Sequence, residues 1–397
     1  MEQLYLSASI WLSLALISAI IAYYLRVSIA LIEICVGVVA GYVTSNFLHT
    51  DLLNNGEEWL KFLAGSGAIF LTFLAGAELE PTVIKNKWKE VLLIGLIGFF
   101  SPFIGCSLIT YFLLGWTPQA SLLCGVALST TSMAVVYAVM IDTGLNITEF
   151  GKGILGSCFI NDIGTVLALG IIFAPFTYKT FIFITITVIY LALFPFITNY
   201  LTNVYGNRTA AIRTKWISFT LFGLGALALW SGNEAVLPAY IAGMVLAEFS
   251  QRNPVWLRRL RTLTVGFLTP FYFLRAGTLV SIPALISAPL LIIALLVAKV
   301  ISKILGLYPF ISQFRREKNE RWYYTLMMST GLTFGTISAL FGYTHKIINT
   351  EQYSYIVITV IGSAVIPTMI ASYFFTPKHL LTRKPHPTEA THELSEE

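Results

Sequence analysis

Charge is what this chain has least of. Only 11% of its 397 residues are Asp, Glu, Lys or Arg, 56% are hydrophobic, and the mean hydropathy is +0.76. Soluble domains carry about a quarter charged residues, so this composition excludes a soluble globular protein. No long polar stretch is available either. The longest non-apolar piece is the tail from about Thr376, "TPKHLLTRKPHPTEATHELSEE", whose proline, threonine and charge read as a disordered end. That leaves no room for a nucleotide-binding regulatory domain, and no GxGxxG follows a soluble strand. Cysteine is scarce: Cys35, Cys106, Cys124 and Cys158 all fall inside apolar runs without CxxC spacing, so they read as small core residues. Histidine is scarce as well. His49, His345, His379, His386 and His392 lie in loops, helix edges or the tail. An intramembrane hydrolase needs a His or a second acid beside a nucleophile at depth, so the chain is not expected to be an enzyme or to hold a cofactor.

What the chain has is long apolar runs. Thirteen recur, at approximately 5–24, 28–46, 61–79, 91–114, 119–141, 151–173, 180–201, 214–231, 235–249, 263–281, 284–308, 322–343 and 353–375. Most are long enough to cross a hydrocarbon core of about 30 Å as a helix. They are numbered here as spans 1 to 13. The start "MEQLYLSASI" lacks a basic flank and a cleavage pattern, so span 1 reads as a retained helix and not a signal peptide.

The net charge of +5 is an excess that sorts by loop and needs no nucleic-acid partner. Loops after odd spans carry Arg26; Lys85, Lys87 and Lys89; Lys152; Arg208, Arg213 and Lys215; Arg252, Arg258, Arg259 and Arg261; Arg315, Arg316, Lys318 and Arg321; and Lys378, Arg383 and Lys384. Loops after even spans hold only Lys61, Lys179 and Lys346. By the positive-inside rule the odd loops are cytoplasmic, the N-terminus is outside and the C-terminus is inside a prokaryotic cell membrane.

An odd offset of seven spans places matching helices in opposite orientation, which predicts two inverted six-helix repeats around a linker helix, span 7. The irregularities match at that offset. Span 5 carries Ser129, Thr130, Thr131 and Ser132 in midspan, and span 12 carries Thr330, Gly331, Thr333 and Gly335. These residues compete for backbone hydrogen bonds or favour non-helical dihedrals, so both spans read as broken. Small and hydroxyl residues also serve helix contacts, which is the competing reading for either stretch alone.

Several charges lie at depth. Asp162 sits in "CFINDIGTVLALG", about eleven residues into span 6 and so roughly 17 Å deep, and an ionisable group there is expected to be functional. Asn161 beside it reads, taken alone, as a helix-interface hydrogen-bonder. Lys299, in "IALLVAKVISKILG", is the expected internal partner for the acid, whereas Lys303, one turn nearer the cytoplasmic end, is expected to extend its ammonium to the headgroups. Arg275 has three readings: neutralising a bound acid, binding carbonyls of a broken helix, or bridging two domains. Glu33 on span 2 is a second deep acid and the secondary candidate site. Glu78 and Glu80 read as interfacial.

At these residues the chain resembles the monovalent cation:proton antiporter superfamily, in the branch of bacterial sodium/proton antiporters and the membrane parts of potassium efflux systems. "IEICVGVVAG" is similar to the family's "GEILAGILLG", "LAGSGAIFLTFLAGAELEP" resembles "LGxxxLLFxAGLExD", "GVALSTTSMAVVYAV" matches the unwound crossover segment, and Asn161-Asp162 stands at the paired acidic or amide-acid site.

The resemblance implies a homodimeric transmembrane antiporter domain over 1–375, followed by a cytoplasmic tail over 376–397. Its scaffold helices would be approximately 1–79 and 214–281, its core helices approximately 91–173 and 284–375, and its linker helix 180–201. The core would move in an elevator-like stroke, with spans 5 and 12 crossed beside Asp162.

The family's conserved Lys maps onto Lys299. In electrogenic members with two aspartates that Lys pairs with the first of them, whose place Asn161 takes here. One carboxylate then predicts electroneutral 1:1 exchange of H⁺ for Na⁺, K⁺ or Li⁺, in the service of pH homeostasis. Candidate neutral ligands are Ser129, Thr130, Thr131, Ser132, freed backbone carbonyls and the Asn161 amide. The lack of a regulatory domain favours Na⁺. The rival readings are a potassium/proton antiporter of the efflux type, a non-transporting cation or pH sensor, and a sodium-coupled organic-anion carrier.

Overall fold

The computed structural model describes residues 2–25, 28–44, 53, 56–78, 87–145, 148–173, 177–205, 211–233 and 235–380, excepting the side chains of 3, 134, 138 and 141–143. Glu80, His49, His386, His392 and most of the tail lie outside the described residues.

Among the described residues there are eighteen α-helices and no strand. They are α1 (Glu2–Leu25), α2 (Ile29–Val43), α3 (Glu58–Ala77), α4 (Trp88–Phe112), α5 (Pro118–Ser129), α6 (Met133–Thr143), α7 (Glu149–Phe173), α8 (Tyr178–Tyr205) and α9 (Ile212–Trp230). The second half continues with α10 (Val236–Val245), α11 (Ala247–Arg252), α12 (Pro254–Leu263), α13 (Thr269–Thr278), α14 (Ile282–Ser287), α15 (Pro289–Phe314), α16 (Lys318–Met327), α17 (Thr333–Thr344) and α18 (Thr350–Phe374). They follow the thirteen predicted runs in order.

Seven of these helices are long and apolar enough to cross a membrane unaided, and α2, α5 and α10 are shorter apolar helices. The chain is therefore an all-helical polytopic membrane protein. Arg258, Arg259 and Arg261, expected between spans, lie on α12, which runs through a π-helical turn at Thr264–Leu268 into α13. Asn253 followed by Pro254 starts that helix early.

Spans 5 and 12 are broken, as their composition predicts. α5 gives way to α6 across 130–132, and α16 gives way to α17 across 328–332. The same device ends both first halves. Ser129 Oγ donates to Val126 O and Thr130 Oγ1 to Ala127 O, while Ser329 Oγ donates to Thr325 O and Thr330 Oγ1 to Met327 O. Short hydroxyls thus occupy carbonyls at the helix ends, which apolar surroundings would otherwise leave unpaired. Other helix starts follow ordinary capping rules. Thr117 caps α5 ahead of Pro118, and Asn349 with Gln352 forms a capping box on α18.

The packing follows the sevenfold offset. α2 packs on α13 and α3 on α10, two contacts that exchange when the halves are superposed with inversion. Both are backbone contacts made by glycine. A Cβ on Gly243 would stand 2.1 Å from Phe73 O, and one on Gly76 would stand 2.4 Å from Tyr240 O. Gly37 and Gly277 meet in the same way between α2 and α13. In an apolar solvent this close approach supplies the dispersion contact that holds helices together. Helices α4, α5, α7, α15 and α18 pack among themselves, with α17 against α5.

Charged pairs gather at the ends assigned to the basic face. Arg315 is bidentate to Glu90 Oε1 at 2.6 and 3.1 Å, joining the start of α4 to the end of α15, and Arg261 pairs with Glu78 at 2.6 Å.

Candidate ion site at the crossed breaks

The two breaks meet. Ser132 N donates to Thr330 O at 3.0 Å, and Thr131 Oγ1 donates to Met328 O at 2.7 Å. Each broken span therefore satisfies part of the other's exposed backbone, the condition for non-helical chain at membrane depth.

Asn161 and Asp162, on α7, lie beside this crossing with different partners. Asn161 is wholly buried, accepts from Thr131 N at 3.0 Å through Oδ1, and donates from Nδ2 to Ser129 O at 3.3 Å. Its amide clamps both sides of the break in span 5. Asp162 is 2% exposed, and its Oδ1 has no hydrogen-bond partner among the described residues. A buried carboxylate oxygen is costly to leave unpaired. The pair therefore divides into a structural amide and an unsatisfied acid.

Two fully buried lysines on α15 face the crossing. Lys299 Nζ donates to Thr130 O at 3.3 Å and to Ser363 Oγ on α18 at 2.9 Å. It is placed at the C-terminal end of α5, where the helix dipole favours a cation. Gly331 makes room for it, since a Cβ there would lie 2.1 Å from Nζ.

Lys303 corrects the expectation that it reaches the headgroups. It is wholly buried and donates to Thr131 Oγ1 at 2.8 Å. The i, i+4 spacing of the two lysines puts both on one helix face, a signal the sequence already contained. Both lysines thus direct their ammonium groups to the break in span 5, Lys299 to Thr130 O and Lys303 to Thr131 Oγ1, and no ion pair within 4 Å joins either lysine to Asp162 among the described residues.

The remaining expected residues distribute as follows. The hydroxyls of Ser129, Thr130 and Thr131 are donated to backbone carbonyls, and Ser132 Oγ accepts from Val135 N at 3.4 Å. Gly335, on α17, lies against Ala127 O and Thr130 Oγ1, and Thr333 begins that helix. Arg275 is half-buried near the end of α13. Glu33 is buried on α2, which packs on α1 and α13. Sequence reasoning missed Ser363, Met328 O and Tyr240. Two of these contribute in ways that residue type does not advertise, a backbone carbonyl and a lone serine in a serine-containing helix.

Comparison with known proteins bears on this site. The family described as "Sodium/hydrogen exchanger, transmembrane" matches residues 12–376. Probable Na(+)/H(+) antiporter 3 of Methanocaldococcus jannaschii is 26% identical over 359 residues, 86% of this chain and 89% of that protein. The Na(+)/H(+) antiporter of Enterococcus hirae is 24% identical, covering 86% and 90%. The glutathione-regulated potassium-efflux system protein KefC of Escherichia coli is 25% identical over 77% of this chain and 51% of its own length. The solved structure of the sodium proton antiporter MjNhaP1 from Methanocaldococcus jannaschii shares the fold, with a TM-score of 0.66 and 15% identity, covering 93% of this chain and 98% of that one.

Proposed function

Because the chain belongs to the sodium/hydrogen exchanger family, and is thus a cation:proton antiporter and not an enzyme, we propose that it exchanges Na⁺ for H⁺ at Asp162. The observation that carries the site is the unsatisfied Oδ1 of a buried carboxylate beside two helix breaks. A proton and a cation compete for that oxygen, so a gradient of one drives the other. Neutral ligands come from backbone carbonyls freed at the breaks and from the Thr130 and Thr131 hydroxyls, with Ser129 and Ser132 completing the same turn. Asn161 holds this turn in shape.

Sodium is favoured because the relatives from Methanocaldococcus jannaschii and Enterococcus hirae, which match over 86% of this chain, are named as Na(+)/H(+) antiporters, whereas KefC matches over 77% of it. The group containing α4 to α7 and α14 to α18 is the moving unit, α1 to α3 with α9 to α13 is the dimer scaffold, and α8 links them. The N-terminus faces outward and the tail inward.

Dissipation of a pH gradient in proteoliposomes tests this, with Na⁺, Li⁺ and K⁺ added in turn. Na⁺ is expected to give the largest response, and a response to K⁺ alone would move the assignment to potassium/proton exchange. Charge movement provides a second prediction. One monovalent cation for one proton at a single carboxylate moves no net charge, so clamping the membrane potential leaves the rate unchanged. A current in the wild type would end the 1:1 assignment. Asn161→Asp adds a second carboxylate at the site and is expected to make the rate follow voltage.

A further inference from the structure

Backbone contacts through glycine occur within each of the two helix groups, whereas aromatic side chains join one group to the other. Tyr240, on α10, is the clearest case. Its backbone is pinned to α3, because Gly76 lies directly against Tyr240 O and Gly243, three residues on, lies against Phe73 O. Its side chain leaves that fixed post and enters the other group. The ring is stacked on Phe159 of α7 at 5.5 Å and meets Phe334 of α17 edge-on at 5.7 Å. Its hydroxyl donates to Phe159 O at 3.2 Å. Tyr240 is 1% exposed.

One residue thus ties the helix that carries the acid, and the second half of a broken span, to a pair of helices in backbone contact on the other side. Phe159 is one turn from Asp162 on the same helix, so α7 cannot slide along α10 while the ring and hydroxyl stay in place. A second hydroxyl makes a comparable crossing at a distance from the site, where Tyr353 of α18 donates to Ala276 O of α13 at 2.7 Å.

We propose that Tyr240 is a latch that holds the ion-carrying helices in the conformation seen here, and that each exchange cycle requires its release from Phe159. This rests on the moving-unit reading above. Tyr240 is a positioning residue: it sets the fraction of time α7 is docked and contributes no oxygen to the ion.

Amide hydrogen exchange followed by mass spectrometry on the purified full chain provides the test. A neutral hydrogen bond contributes about 1 kcal/mol, a factor of about five in an equilibrium. Tyr240→Phe keeps the ring and deletes the hydroxyl, so exchange over residues 155–165 of α7 is expected to rise about fivefold while exchange over α3 stays at the wild-type rate. Tyr353→Phe is expected to act instead on the start of α18. Unchanged exchange over 155–165 in Tyr240→Phe would overturn the latch, and so would an equal rise in every segment, which would mark general loosening. Repeating the measurement in Asp162→Asn separates the two readings. The latch predicts the same local rise in that background. Loss of transport by Asp162→Asn without any effect of Tyr240→Phe would leave the ion site standing and remove the latch.

Discussion

Asp162→Asn is expected to reduce cation-dependent proton flux to that of protein-free liposomes while leaving the protein folded. The substitution is nearly isosteric. It removes a carboxylate oxygen that makes no hydrogen bond among the described residues, so little native structure depends on it. The ring of structure around the crossing is held by other groups: the Asn161 amide on Thr131 N and Ser129 O, Ser132 N on Thr330 O, and Lys299 on Thr130 O and Ser363. Unfolding should shift by no more than about 1 kcal/mol. An amide is neutral at every relevant pH, however, and it can neither release a proton nor neutralise a dehydrated cation. Measuring flux and thermal unfolding on the same preparation separates these effects. Near-normal flux in the variant would move the site elsewhere, with the buried Glu33 next to be tested.

Gly243→Ala has the opposite signature, a loss of fold and not only of chemistry. The added methyl would stand 2.1 Å from Phe73 O, 2.8 Å from Ala77 N and 3.0 Å from Gly76 Cα, all backbone atoms of α3. A flexible side chain could turn aside, but a helix backbone has to move as a unit. Overpacking of this kind costs about 1–3 kcal/mol in well-packed cores. The expected outcome is a thermal midpoint lowered by several degrees, with reduced recovery of monodisperse protein in detergent. Gly223→Ala on α9 is the control, since a Cβ there meets nothing within 4 Å. Alanine is the better helix former by about 1 kcal/mol, so that variant should be neutral or slightly stabilised. A Gly243→Ala protein with the wild-type midpoint would show that α3 and α10 can separate freely, and the rigid post beneath Tyr240 would be lost with it.

The helix order, the two breaks and the buried acid were all legible in the sequence because each is a local property. A bilayer admits helices of limited length, so hydropathy alone marks the runs. Ser129 and Thr130 compete with their own helix through contacts three residues back, and Asp162 stands out because ionisable residues are rare at depth. The assignments that sequence missed depend on which chain segment comes to lie opposite. Lys303 was expected to reach water by its length, yet it lies against Thr131, 172 positions away. Asn161 looked like one more polar contact, and its role as a clamp exists only because α7 passes the break in span 5.

The sequence by itself determined that this is a helical membrane protein with two broken spans and a carboxylate at membrane depth. Only the tertiary structure decided that Oδ1 of the acid is without a hydrogen-bond partner among the described residues, that Lys303 lies buried against Thr131, and that Tyr240 reaches from α10 to α7 and α17. The physical reason is the range of the interactions. Hydropathy and side-chain competition for the backbone act within a few residues of the same helix, whereas the partners of a buried charge are set by helices that meet from distant parts of the chain.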